Sequence, residues 1–201
     1  MNSMTHMMIG NYLCRSIEES TGVQLQRGWF LYGNVLPDLH PAYLKRPHKP
    51  NAWTDILQSE IAALSADEPA DGHYSADFSK RLGVLCHLYA DFHCYPHTKA
   101  YNGGSCRHMR YEWDLYRYLL DNKALLTFSA GMPTTLFKVD SLMENLEEAY
   151  TAYLAGRPSY ENDILYTLQV CSALMMTVTE AAARNAPIIQ IAEECVEAEV
   201  I

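Results

Sequence analysis

Histidines and acidic residues in the first half of the chain recur at spacings that could bind metal ions. His87 and Asp91 are four positions apart, and so are His108 and Glu112. Residues four apart lie on the same face of a helix, so each pair could offer two ligands to one ion. His97 lies between the two pairs in the sequence. Two consecutive helices and their connection could therefore bring all five side chains together.

Spacing alone is a weak indication of a metal site. The 8 histidines and 24 acidic residues of the 201-residue chain give about one such pair by chance, and the chain has three. The third pair, His73 and Asp77, adjoins a connection rich in Gly and Asp. His87 and Asp91 are more informative, because they lie on or beside an apolar helix stripe where an unpaired charge costs several kcal/mol. Metal coordination removes that cost, and a buried His–Asp hydrogen bond without metal is the alternative.

The charge of the chain limits its partners. The formal net charge is −9, and 49% of the residues are hydrophobic, which is usual for a soluble globular protein. An acidic chain lacks the basic surface that attracts duplex nucleic acid, so we expect no duplex nucleic-acid partner. Divalent ions at the site would nevertheless make it positive within an acidic protein.

The chain has none of the sequence features of export or membrane insertion. Its first residues lack a basic segment followed by a long apolar run, and no stretch reaches the ~18 uncharged apolar residues of a membrane span. We therefore expect a cytoplasmic protein that is not an integral membrane protein. The six cysteines have no CxxC spacing and are interpreted mostly as buried thiols, with Cys94 and Cys106 as less favoured zinc ligands.

Apolar residues recur every three or four positions along most of the chain, and strand-like alternation is absent. We predict an all-α fold in one domain, residues 1–201. Thr5 is the expected cap of the first helix, with His6 in its first turn, and Pro37 is expected to leave Asp38 on a loop. The predicted helices cover residues 5–21, 24–35, 52–64, 75–95, 105–121, 138–154 and 160–185, and a short helix follows from 188.

Three motifs, in order along the chain, carry a resemblance to a known family. They are residues 33–38 (GNVLPD), 87–91 (HLYAD) and 108–112 (HMRYE). Together with His6, His48 and His97, this order is similar to that of the bacterial zinc-dependent phospholipase C family. It also resembles the related fungal and plant single-strand zinc nucleases. The resemblance covers residues 6–112 and implies a compact multi-helix fold.

The resemblance also implies a cluster of three zinc ions with eight ligands, and we expect two or three of these ions in this chain. One site would use Asp38, His48, His87 and Asp91, and Asp91 would bridge to an ion that His6 also binds. A more separate site would use His97, His108 and Glu112. Imidazole and carboxylate ligands suit zinc on chemical grounds as well.

Three positions depart from the family pattern or leave the ligand assignment open. Secreted members begin with a tryptophan whose amine and carbonyl bind the ion at the His6 site, whereas this sequence begins with Met1 and has its first tryptophan at position 29. We therefore expect the His6 site to be short of ligands. His40 is an alternative to His48 as a ligand. His93 is interpreted as a group that supports a ligand or lies at the surface.

Together these residues favour a zinc-dependent phosphoesterase that resembles phospholipase C. A zinc-activated water would attack phosphorus, and Asp38 would orient or deprotonate that water. A plain Asx turn after Pro37 is the alternative role for Asp38. A phospholipid is the first substrate considered, and a soluble phosphodiester or phosphomonoester is the alternative. A single-strand nuclease and a non-catalytic, metal-stabilised helical interaction domain also stay open.

Overall fold

The fold is helical throughout the part of the chain that the computed structural model describes, which is residues 1–70, 72–129 and 139–185. Those residues form ten α-helices and contain no β-strand, which confirms the all-α prediction. The helices are α1 (Ser3–Thr21), α2 (Arg27–Gly33), α3 (Leu36–Leu39), α4 (Pro41–Leu44), α5 (Pro50–Ser65), α6 (Ala76–Phe92), α7 (Ser105–Asp121), α8 (Ala124–Ser129), α9 (Val139–Ala155) and α10 (Tyr160–Asn185). A short 3-10 helix, Tyr95–His97, lies in the connection between α6 and α7.

Helix α1 carries the first candidate ligand into the interior. Asn2 caps this helix by accepting a hydrogen bond from the backbone N–H of Thr5, so the prediction that Thr5 is the cap was wrong. Gly22 ends the helix in the left-handed conformation (φ 74°), which glycine adopts without steric cost. Buried apolar residues at three- and four-residue spacing pack α1 against the core. His6 lies in the first turn, as predicted, and is buried with them.

Helix α6 is the central element of the site, and two glycines let α2 lie directly against it. Ser75 caps α6 by accepting a hydrogen bond from a first-turn N–H, which confirms its predicted start. A Cβ on Gly33 would collide with the backbone carbonyl of Lys80, and one on Gly83 would collide with that of Phe30. The two backbones therefore lie closer together than larger residues would allow. The chain that follows α2 can thus reach the buried face of α6.

Helix α10 is the longest helix in the described ranges and lies in the core. Its length and mean hydropathy would allow a membrane span, but 61% of its apolar window is buried inside the fold. It packs against α5, α6 and α9. Leu168, Cys171 and Leu174 on this helix are completely buried. Packing in the protein core therefore accounts for its apolar sequence.

The differences from the predicted helices lie mainly in short segments. Asp38 lies in α3 and not on a loop, because Pro37 occupies a first-turn position where its missing N–H costs no hydrogen bond. Pro41 begins α4 in the same way, within a stretch predicted as loop. Helix α8 was not predicted, whereas α7 and α10 have their predicted bounds. The predicted helix start at 138, the predicted helix from 188 and Cys195 lie outside the described residues.

Candidate metal centre

The first group of candidate ligands joins three separate parts of the fold. Asp38 comes from α3, His48 from the connection before α5, and His87 and Asp91 from successive turns of α6. One donor atom of each lies within 4.8 Å of the other three. Oδ2 of Asp91 is 2.7 Å from Nδ1 of His48 and 3.4 Å from Nε2 of His87. Nε2 of His87 is also 3.6 Å from Oδ1 of Asp38. These four donors are close enough to surround one ion.

The second group consists of His97, His108 and Glu112. Oε1 of Glu112 is 3.0 Å from Nε2 of His97 and 2.8 Å from Nε2 of His108. His108 and Glu112 come from successive turns of α7, and His97 ends the 3-10 helix. All three side chains are partly exposed, whereas His87 and Asp91 of the first group are buried. The second group is therefore the more open of the two to solvent.

Asp91 connects the two groups through its two carboxylate oxygens. Oδ2 faces His48 and His87, as described above. Oδ1 is instead 3.2 Å from Nε2 of His6 and 3.6 Å from Nε2 of His97. The two oxygens of one carboxylate thus face two different sets of ligands. This is the arrangement in which a carboxylate can bridge two metal ions.

The α-amino group of Met1 lies in the same space, and sequence reasoning missed it. It contacts Oδ1 of Asp91 directly, and it is 3.2 Å from Oε1 of Glu112 and 3.3 Å from Nε2 of His97. The sequence pointed only to the absence of an N-terminal tryptophan for the His6 site. The structure places an additional nitrogen beside Asp91, and only the course of α1 could reveal it.

Burial and charge act against each other at these groups. Burial disfavours the charged form of Asp91, but His97, the Met1 amine and His87 outweigh it and hold the pKa of Asp91 well below its usual range. Burial also opposes charge on the Met1 amine, yet the Asp91 carboxylate keeps that pKa well above its usual value. Burial, reinforced by His87, lowers the pKa of His6 to about 4. The His6 imidazole is therefore neutral near pH 7 and able to coordinate a metal.

Hydrogen bonds from outside the two groups orient several ligands. Nδ1 of His87 donates to the backbone carbonyl of Asn34 at 3.0 Å, so its Nε2 presents a lone pair to the other ligands. Nδ2 of Asn34 donates to the backbone carbonyl of His6 at 2.7 Å. Oγ of Ser3 donates to Oδ2 of Asp38 at 2.8 Å. Neither Ser3 nor Asn34 was predicted to have this role, although Asn34 lies within the GNVLPD motif.

The other histidine and cysteine candidates lie outside both groups. His40 caps α4, where its Nδ1 accepts a hydrogen bond from a backbone N–H, and the structure places His48 in the first group of candidate ligands instead. His73 is exposed at an isolated β-bridge. Neither Cys94, which is buried, nor Cys106, which is exposed, belongs to a ligand group within the described ranges.

His93 is buried, so of its two predicted roles the one at the surface was wrong. Only 1% of the residue is exposed, and burial lowers its pKa to about 4. Nδ1 of His93 donates to the backbone carbonyl of Tyr89 at 2.8 Å. The rings of Tyr150, Tyr153 and Tyr166 lie around the imidazole. Nε2 of His93 has no hydrogen-bond partner in the part of the chain that the structure describes.

The donors of the two groups fit zinc. The first group offers two imidazole nitrogens and two carboxylates, which is the number of ligands that zinc takes in a tetrahedral site. The second group offers two imidazoles and one carboxylate, which is the number that leaves a position for water or substrate. The hydrogen bond from His87 to a backbone carbonyl is also a typical support for a zinc-ligating histidine.

Comparison with known proteins gives one match. The model of a family described as zinc-dependent phospholipase C matches residues 5–160, which is more than half of the chain. The matched stretch includes all eight candidate ligands, and it confirms the resemblance carried by the three motifs. No curated protein and no solved structure matches the chain.

Proposed function

Because the chain belongs to the zinc-dependent phospholipase C family, we propose that it is a hydrolase that cleaves phosphodiester bonds with zinc bound by the two ligand groups. The first group and His6 would hold an adjacent pair of ions, and the second group would hold the more exposed ion. The Met1 ammonium group, which lies next to Asp91, would contribute a nitrogen ligand after losing its proton to solvent when the ion binds. When bound, zinc lowers the pKa of a water molecule and stabilises negative charge on phosphoryl oxygens.

The position of Asp91 is the observation that carries this proposal. Asp91 is completely buried, and each of its two carboxylate oxygens faces a different set of histidine nitrogens. Without metal, the Met1 ammonium group pairs with Oδ1 and compensates the buried charge on that side, whereas Oδ2 faces His48 and His87. Zinc held by these two sets of ligands would compensate the charge of Asp91 on both sides.

The charge balance of the loaded site favours an anionic substrate. The ligands include only three carboxylates, Asp38, Asp91 and Glu112, and the imidazoles are neutral when they bind metal. Two or three divalent ions therefore leave a positive charge at the site, although the chain as a whole carries −9. Such a site attracts phosphate groups.

Asp38 is the residue that we propose to orient the attacking water or accept its proton. Its side chain is 24% exposed, whereas that of Asp91 is 1% exposed, so water and substrate can reach it. The Ser3 hydroxyl holds Oδ2, and Oδ1 lies towards His87. A carboxylate fixed in this way next to the reacting group can act as a general base.

A generic substrate tests the proposal most directly. Protein purified without chelator should contain zinc and hydrolyse bis-p-nitrophenyl phosphate. Chelation should abolish the hydrolysis, and added zinc should restore it. Zinc content well below one ion per chain would overturn the proposal.

The physiological substrate requires parallel assays. Phosphatidylcholine in micelles represents the phospholipid that family membership suggests. A cytoplasmic location, which we also propose, favours a soluble phosphodiester instead. Single-stranded DNA represents the nuclease alternative. Hydrolysis of only one of these substrates by the same zinc-loaded sample would assign the class.

A further inference from the structure

A cavity of about 390 Å³ opens beside the metal centre. It is lined by residues of α5, α6 and α9, and also by His97 of the second ligand group. Cavities of ~300–1,000 Å³ are typical binding sites for small organic molecules. A substrate whose phosphate lies at the metal centre could therefore place another part of itself in this cavity.

Much of the cavity lining is apolar and buried. Leu57, Tyr89, Phe92 and Leu146 line it, and each is at most 5% exposed. Tyr150 adds a partly buried aromatic ring from α9. A lining of this kind binds the body of a ligand by removing apolar surface from water, and aromatic rings favour flat ligands.

His93 gives the cavity a directional polar group. It lines the cavity, and its Nε2 is buried without a hydrogen-bond partner within the described residues. Because Nδ1 donates to the carbonyl of Tyr89, Nε2 of the neutral imidazole carries a lone pair and can only accept a hydrogen bond. A buried acceptor without a donor is costly. Nε2 has almost no surface open to the cavity in this structure, so a ligand that brings an N–H or O–H group to it, and removes that cost, would first have to displace a neighbouring side chain of the cavity wall.

Charged residues of both signs also line the cavity. Lys49 follows the ligand His48 in sequence, and Lys99 lies two residues after His97. Cations next to the ligands favour a phosphate at the metal centre. Glu144 also lines the cavity, as does Glu147 on the same helix. These carboxylates disfavour a further negative charge on the part of the ligand that enters the cavity.

We infer that this cavity binds the organic group of the phosphodiester substrate, and that the group is a compact, uncharged ring with an N–H or O–H donor for Nε2 of His93. The inference rests on the proposed phosphodiesterase function. At about 390 Å³, the cavity lies near the lower end of the ~300–1,000 Å³ that is typical of small-molecule sites. A nucleobase or a hydroxylated aryl group suits a site of this size better than a pair of long acyl chains does.

The test uses a series of substrates with one leaving group. All are p-nitrophenyl phosphodiesters, and the second ester group is methyl, phenyl, hydroxyphenyl or thymidine. We expect kcat/KM to rise from methyl to phenyl, because the ring fills the cavity. A further rise of roughly tenfold is expected for the hydroxyphenyl ester, because a site with a buried acceptor discriminates against ligands that lack the donor. The thymidine ester carries its N–H donor on a nucleobase, so its kcat/KM relative to the hydroxyphenyl ester shows whether a nucleoside or an aryl group is preferred.

Two variants locate the effect in the cavity. His93→Phe keeps a ring but removes the acceptor, so the hydroxyphenyl and phenyl esters should become equivalent. Gln58→Trp places a large side chain at an exposed residue of the cavity lining, so the preference for ring esters over the methyl ester should fall. Ser59→Trp is the matched control, because Ser59 is exposed on the same helix and does not line the cavity.

A binding measurement separates this inference from the proposed function. In saturation-transfer NMR with the purified protein, hydroxyphenyl phosphate should receive signal on its ring protons, and Gln58→Trp should reduce that signal. Failure to hydrolyse any ester, the methyl ester included, would contradict the proposed phosphodiesterase. Hydrolysis of all esters at similar rates, with no change in Gln58→Trp, would overturn the cavity inference alone. Preference for long-chain phosphatidylcholine over every ring ester would overturn it as well.

Discussion

The backbone carbonyl of Asn34 accepts a hydrogen bond from Nδ1 of His87, with 3.0 Å between the two atoms. Asn34 directly follows α2, whereas His87 lies in the middle of α6. The contact therefore depends on how closely α2 lies against α6. Gly83 lies one turn before His87, and the space beside it is filled by the backbone of Phe30 and Asn34. Packing between two helices thus determines the orientation of a candidate metal ligand.

Gly83→Ala should destabilise the fold and weaken metal binding. The added methyl group would collide with the carbonyl of Phe30 and lie 2.9 Å from the N atom of Asn34. Overpacking of this kind costs ~1–3 kcal/mol. It would also move Asn34 away from His87. Urea denaturation should report the lower free energy of unfolding, and metal analysis should report less zinc per chain.

Gly28→Ala is the control for that variant. Gly28 lies in the same helix as Gly33, and no atom lies within 4 Å of a Cβ added there. Alanine in a helix is favoured over glycine by ~0.5–1 kcal/mol, so this variant should keep its zinc and be slightly more stable. Equal behaviour of the two variants would show that the close approach of α2 to α6 does not position the ligand.

Asp91→Asn should remove both the zinc and the hydrolytic activity. An amide can no longer present two anionic oxygens to two sets of nitrogens, and its NH2 group would face histidines that must remain free to bind metal. Zinc per chain and turnover of bis-p-nitrophenyl phosphate are the two measurements. Asp77→Asn is the matched control, because Asp77 belongs to the exposed His–Asp pair and its contacts are with surface cations. Full zinc content in Asp91→Asn would contradict a bridging role for Asp91.

The part of the site that sequence predicts best is the part held within single helices. An α-helix has ~3.6 residues per turn, so residues four apart lie on one face. This geometry makes two pairs predictable, His87 with Asp91 and His108 with Glu112. The helix carrying each pair has apolar periodicity of its own. For α7 the predicted bounds, residues 105 and 121, are the observed ones.

The rest of the site depends on packing between elements, which local patterns do not encode. His6, Asp38 and His48 were assigned through the family resemblance, since no spacing relates them to α6. The role of Asn34 follows from the approach of α2 to α6, and that of the Met1 amine follows from the path of α1. Similarly, the sequence left open whether His93 supports a ligand or lies at the surface, because its burial depends on α9 and α10, whose tyrosines enclose it.

One residue added before Met1 should weaken metal binding on the side of the site that faces Oδ1 of Asp91. The addition converts the amine into a peptide N–H, which cannot bind metal, and it forces extra atoms into a space where Met1 is 2% exposed. We expect a loss of about one zinc per chain, because coordination and folding are coupled at such sites. Removing the added residue with a specific protease should restore the lost ion. Unchanged zinc content would exclude the Met1 amine as a ligand.

Asp163 should make stability depend on pH through its burial in a shell of hydrogen-bond donors. Burial raises its pKa to about 6, although Tyr95, Tyr153 and Tyr111 donate hydrogen bonds to it. Below pH 3.8 the carboxyl is protonated in both the folded and the unfolded chain, so it adds no pH dependence. Between pH 3.8 and about 6 the folded chain holds the proton more tightly, so raising the pH through this range lowers the free energy of unfolding. Each pKa unit corresponds to ~1.4 kcal/mol, which gives roughly 3 kcal/mol in all.

Asp163→Asn isolates this contribution, because the amide does not titrate. The buried histidines His6 and His93, whose pKa values are lowered to about 4, act in the opposite direction and stabilise the fold as the pH rises. They are present in both proteins, so the difference in unfolding free energy between wild type and variant cancels their effect. That difference, measured by urea denaturation, should shift in favour of the variant by up to roughly 3 kcal/mol from about pH 4 to pH 7. Asp55→Asn, at an exposed position of α5, is the control for replacing an aspartate by asparagine elsewhere on the fold. A wild-type-minus-variant difference that is independent of pH would mean that Asp163 ionises as readily in the folded protein as in the unfolded chain.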